Sequence, residues 1–117
     1  MPDLALAFEV LADPTRLRIV EELRHGERSV GSLVSALGVC QPGVSRHLRI
    51  LHEAGFVQNR PDGQRRLYSL QRKPFRDLEA WIHEYRGLVE ARLDRLGQLV
   101  EETGPSYRSA TRYPRRN

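Results

Sequence analysis

The apolar period of this 117-residue chain changes at Gly55, and that change restricts the fold more than any single motif does. Before Gly55, apolar residues recur at helical spacing. After it, Phe56–Arg60 and Arg66–Leu70 read as two short strands around Pro61-Asp62-Gly63-Gln64, a turn in which proline presets φ and glycine takes φ > 0. A run of helices followed by one hairpin predicts a mainly α chain with a small β element.

The helical part is punctuated. Leu4 to Ala12 is a short apolar-rich helix. Asp13-Pro14 starts the next, with aspartate accepting at the N-cap and proline at the first position, and His25-Gly26 ends it. Ser29 is the N-cap of a third segment, in which Val30, Leu33, Val34 and Leu37 lie on one face up to Gly38. Val39-Cys40 then links to a fourth helix, Gln41 to Ala54. Its Val44, Leu48 and Leu51 share one face, while Ser45, Arg46 and Arg49 point away from them. From Pro74 to about Glu102 a last helix is expected. Phe75, Leu78, Ile82, Tyr85, Val89, Leu93, Leu96 and Val100 form a near-heptad seam that Trp81, Leu88 and Leu99 widen. That stripe is more apolar than one small domain needs. It predicts a homodimer interface at Leu78, Trp81, Ile82, Tyr85, Val89, Leu93 and Leu96.

Charge follows this layout. Residues 41–73 hold seven Arg and Lys against two acids, a net +5, between segments of −2 (1–40) and −3 (74–102). Residues 103–117 carry four arginines and no acid, and read as a basic flexible tail after a domain spanning 1–102. A basic middle between acidic flanks suits a polyanion; the plain alternative is a solvated basic surface. Two short helices, a tight link, a helix with an arginine-bearing outer face and a basic hairpin amount to a winged helix-turn-helix, ordered α-α-α-α-β-β-α. The fourth helix fits a major groove ~12 Å wide. Its free N-terminal amides suit phosphate, and Ser45, Arg46 and Arg49 reach base edges or phosphates. Arg60, Arg65 and Arg66 suit neighbouring phosphates or a minor groove.

Three stretches resemble the ArsR/SmtB regulators: Phe8 to Val20, Gln41-Pro42-Gly43-Val44-Ser45-Arg46-His47-Leu48-Arg49-Ile50-Leu51, and the wing Gly55-Phe56-Val57 with Gly63 to Leu70. The resemblance runs over about residues 4–100. It implies a dimeric winged-helix transcriptional regulator, usually a repressor, joined through its first and last helices. It adds Gln41 and Gly43 to the expected DNA-contacting residues, and His47 beside them as either a packing or a phosphate-contacting residue. The partner would be double-stranded DNA with an imperfect palindromic operator, its half-sites about 34–36 Å apart.

The sequence departs from the metal-sensing members. Their thiol motif aligns with Glu27-Arg28-Ser29-Val30-Gly31-Ser32-Leu33, where Ser29 and Gly31 stand in the thiolate positions. Their last-helix motif, laid on Asp77, Glu79, Glu90 and Leu93, finds neither histidine. No metal site and no cofactor are expected. His83 with Glu79 reads as a surface pair, the alternative being a two-ligand metal clamp across a dimer. The single cysteine, Cys40, cannot form an internal disulfide, and a reducing cytoplasm is the default compartment. It stands before the fourth helix, where the family often has a Ser or Thr cap. It is either an inert serine substitute or a thiol switch on DNA binding. The other effector options are a small apolar ligand near Trp81 and Tyr85, or none.

No apolar run approaches the ~18 residues of a membrane span, and the Met1-Pro2-Asp3 start predicts no secretory leader. Nothing resembles a nucleophile triad, a phosphate-binding glycine loop or a catalytic carboxylate pair, so an enzyme is not expected. The competing reading is a protein-interaction module built on the last helix.

Overall fold

Three helices start where an oxygen side chain meets the free amides of a first turn. The computed structural model describes residues 3–90. Asp3 Oδ1 accepts from the Leu6 amide at 3.0 Å and opens α1 (Leu4–Leu11). Asp13 Oδ1 accepts from Thr15 at 2.8 Å and Arg16 at 3.1 Å, with Pro14 as the first residue of α2 (Pro14–Leu23). Ser29 Oγ accepts from Ser32 at 3.1 Å and opens α3 (Val30–Leu37), which closes on Gly38 at φ 68°. Only a left-handed residue satisfies that ending, and glycine adopts it without strain. Residues 38–40 lead into α4 (Gln41–Glu53).

Three strands follow the order β1-β3-β2, all antiparallel: β1 (Arg28–Ser29), β2 (Val57–Asp62) and β3 (Arg65–Leu70). With β1 placed between α2 and α3, the element order is α-α-β-α-α-β-β-α rather than the expected α-α-α-α-β-β-α. A two-residue strand shows no period, so only its partner reveals it. Ser29 pairs with Leu67 and also caps α3. The hairpin is tighter than expected as well. The turn is Gly63-Gln64, with Gly63 at φ 67°, and Pro61 lies inside β2 opposite Arg66. Proline is tolerated there because β2 is an edge strand. The α3–turn–α4 unit with this sheet is a winged helix-turn-helix.

The chain divides into two units, residues 1–80 and 81–117. The first holds the core. Ile19, Leu33, Val44, Leu48, Leu51 and Val57 are fully buried, and Val10, Leu23, Leu37 and Phe56 nearly so. Phe75, expected in the seam, instead meets Phe56 edge to face at 5.5 Å. Within the second unit the rings of Trp81 and Tyr85 lie 5.0 Å apart, and Ile82, Tyr85, Leu88 and Val89 are exposed.

The single last helix expected from Pro74 to about Glu102 needs correction. Helix α5 runs Arg72–His83, residues 84–85 form a turn, and 86–90 are helical again. The Glu84 and Tyr85 amides reach back only three residues, to Trp81 (3.1 Å) and Ile82 (2.9 Å). Such bonds tighten a helix until it stops, and Gly87 weakens its resumption. Pro74 is the third residue of α5, where a missing amide costs nothing. Leu93, Leu96, Leu99, Val100 and the basic tail lie outside the described residues.

Candidate nucleic-acid interface

Helix α4 is amphipathic in a way that fixes which side faces out. Val44, Leu48 and Leu51 are fully buried, and Gln41, Ser45, Arg46 and Arg49 are exposed. Arg46 and Arg49 have no hydrogen bond or ion pair among the described residues. The helix start is open too. Cys40 is its N-cap, exposed, and its thiol makes no capping bond, so the first-turn amides of Gln41 and Gly43 are left to an outside acceptor. Gly43 itself is half-buried. A Cβ there would come within 3.2 Å of Val39 Cγ1, so glycine lets the 38–40 turn lie close on α4.

His47 is placed differently from the other expected contact residues. It is half-buried on the α2 side of α4, its Nδ1 3.3 Å from Arg16 Nη1. Arg16 donates from Nε to the Val10 carbonyl at 2.7 Å, which satisfies the end of α1, and lies 3.9 Å from Asp13. Burial opposes ionisation of Asp13. The amide bonds from Arg16 and Thr15, with the nearby His47 and Arg16, overcome it and hold the carboxyl below its ordinary range. Arg18 similarly donates to the Leu37 carbonyl at the end of α3, at 3.3 Å. Sequence reasoning missed these two bracing arginines. Their spacing gives no signal, because their acceptors are backbone carbonyls of other helices.

The wing arginines come to two faces of the sheet. Register places Arg60 and Arg65 with Gln58, Leu67 and Ser69 on the outer face. Arg66 falls on the opposite face, where its Nε donates to Asn59 Oδ1 at 2.8 Å. Arg65 pairs with Asp62 at 3.1 Å. Arg60 donates through Nε and Nη2 to both oxygens of Glu27, at 2.8 and 2.9 Å. That hydrogen bond keeps the Glu27 carboxyl below, and the Arg60 guanidinium above, its ordinary range.

Where the metal-sensing thiolates would stand, Ser29 is occupied as a cap. Among the described residues no group of three His, Cys, Asp or Glu side chains is placed to hold a metal, and no helix is long and apolar enough to cross a membrane. A cleft of about 350 Å³ lies between the start of α1 and the start of α5, lined by Leu4, Leu6, Phe56, Lys73 and Pro74. It is not at Trp81 and Tyr85, whose rings meet each other.

Comparison with known proteins settles the lineage. Residues 13–59 match the family described as "Bacterial regulatory protein, arsR family". The chain is 31% identical over 75 residues to the transcriptional repressor SdpR of Bacillus subtilis, covering 64% of this chain and 83% of that protein. It also superimposes on an ArsR family transcriptional regulator of solved structure with a TM-score of 0.65 and 30% identity, over 74% of this chain and 90% of that one. The chain belongs to the ArsR family. A further relative of this ArsR-family chain is the HTH-type transcriptional regulator Rv2034 of Mycobacterium tuberculosis, 50% identical over 64 residues, which are 55% of this chain and 60% of that protein. The chain spans 47–60% of the length of several curated relatives it matches.

Proposed function

We propose that this ArsR-family chain is a homodimeric, sequence-specific DNA-binding transcriptional repressor that places α4 of each protomer in a major groove. The observation that carries the reading is the state of α4. Its inner face is fixed in the core, while Arg46 and Arg49 stand open beside an uncapped helix start. Arginine is the side chain best suited to guanine O6 and N7, and open amides suit phosphate. Gln41, Ser45, Arg46 and Arg49 are the reading residues. Arg65 and, once released, Arg60 add phosphate contacts, while His47 and Gly43 position the helix. Dimerisation is assigned to the exposed apolar residues of α1, Leu6 and Phe8, and separately to Ile82, Tyr85, Leu88 and Val89. SdpR, a repressor by its name, supports the direction of control. The proposed compartment is the cytoplasm, where the target DNA lies. The effector options are an oxidant acting on exposed Cys40, a small apolar ligand, or none.

Selection of bound duplexes from a random pool, with oxidant, metals and chelator as separate arms, tests the reading. A recovered imperfect palindrome is expected, bound with a steep salt dependence of about −0.9 in log–log slope per phosphate contacted. A flat salt response with no duplex recovered overturns it in favour of a protein-interaction module.

A further inference from the structure

The wing carries an ion pair that comes from outside the hairpin. Glu27 immediately precedes β1, and its two carboxylate oxygens hold Nε and Nη2 of Arg60 on β2. In the register, Ser29, Leu67 and Arg60 form one row, so the pair spans the middle strand β3 and ties one edge of the sheet to the other. Arg65 and Arg66, by contrast, find their partners within the hairpin, at Asp62 and Asn59.

A carboxylate and a phosphate present the same two-oxygen fork to a guanidinium, and one edge of the guanidinium serves one fork at a time. We propose that Glu27 is a specificity-determining residue for duplex binding, an internal counter-ion that withholds Arg60 from phosphate until a well-seated duplex displaces it. This rests on the duplex-reading function proposed above. Non-specific binding comes almost entirely from phosphate neutralisation, whereas specific binding adds base contacts. Cancelling one wing cation therefore weakens random-sequence binding most. It leaves α4, whose arginines have no such partner among the described residues, to decide which duplex stays bound. The pair is exposed, with side-chain accessibilities of 58% and 36%, so a phosphate can reach and replace the carboxylate.

The test is a salt titration of binding to a labelled mixed-sequence duplex of about 30 base pairs, for the native chain, Glu27→Gln, Arg60→Ala and the double variant. Circular dichroism confirms that each is folded. Glu27→Gln is expected to steepen the log–log salt slope by about 0.9, so that it loses about threefold more affinity than the native chain between about 50 and 200 mM salt. Arg60→Ala keeps the native slope, the double variant behaves as Arg60→Ala, and Glu27→Asp, which retains the charge, stays close to native. A Glu27→Gln chain with the native slope overturns the proposal. So does a steepening that persists in the Arg60→Ala background, since that reports general loss of negative charge. Should Glu27→Gln not fold, Arg60→Ala alone decides: a slope shallower than native by about 0.9 means Arg60 already sits on phosphate, and the proposal fails. Absence of duplex binding by every chain removes the DNA-reading function itself, a result separable from all of these.

Discussion

Helix α4 and the wing both present arginines, in opposite states. On α4 the backbone is anchored by three fully buried side chains, and Arg46 and Arg49 are without partners among the described residues. In the hairpin only Val57 is fully buried, while Arg60, Arg65 and Arg66 are engaged by Glu27, Asp62 and Asn59. The difference follows from geometry. A helix seated on a core turns its outer side chains away from the rest of the chain. A twisted sheet brings cross-strand and diagonal neighbours within reach of one another. The same residue type is thus open on one element, among the described residues, and engaged on the other.

The largest expected effect tests the seat of α4. Leu48→Ala removes a fully buried side chain beneath the exposed face of α4 and should cost about 2–5 kcal/mol in urea denaturation. Leu67→Ala, at a half-buried wing position, should cost less; equal losses would break the contrast in anchoring. Next comes the open cation. Arg46→Ala should weaken binding to the selected duplex by about 1–3 kcal/mol and relax preference at one position. Arg65→Ala, whose guanidinium must first leave Asp62, should cost less in the same assay. A larger loss at Arg65 would mean that internal pairing does not silence the wing.

Behind α4, Asp13→Ala should cost about 1 kcal/mol near neutrality through loss of the α2 cap. The sign with pH follows from the lowered carboxyl. Its stabilisation is complete above the unfolded-state value and is lost as pH falls through the folded-state value, so native and variant should converge in acid. Denaturation midpoints that keep a constant gap down to low pH would refute this. The smallest effect is a gain. Cys40→Ser supplies the missing acceptor at the start of α4 and should add up to about 1 kcal/mol, read as a raised melting temperature. No gain would mean that those amides are already satisfied.

Signals within a few residues were legible in the sequence, and pairings between distant segments were not. The Asp13 and Ser29 caps, the Gly38 ending and the buried trio of α4 all lie where local chemistry put them. Proline's preference for turns points to Pro61 as part of the turn, but the two-residue Gly63-Gln64 turn leaves it on an edge strand. The two-residue β1 is defined only by its partner. Spacing alone predicts a continuous seam through Ile82 and Tyr85, since periodicity does not register the three-residue hydrogen bonds that stop α5 at His83. At the interface, which residues are exposed on α4 followed from the pattern. That Arg60 is already partnered did not, because Glu27 and Arg60 are 33 positions apart.

Ser29 has a mechanical consequence. A single residue closes the ladder to Leu67 and supplies the oxygen that starts α3. Pulling the first strand off its neighbour would displace the residue that starts that helix. A displacement of β3 therefore reaches the start of α3 through one joint, Ser29.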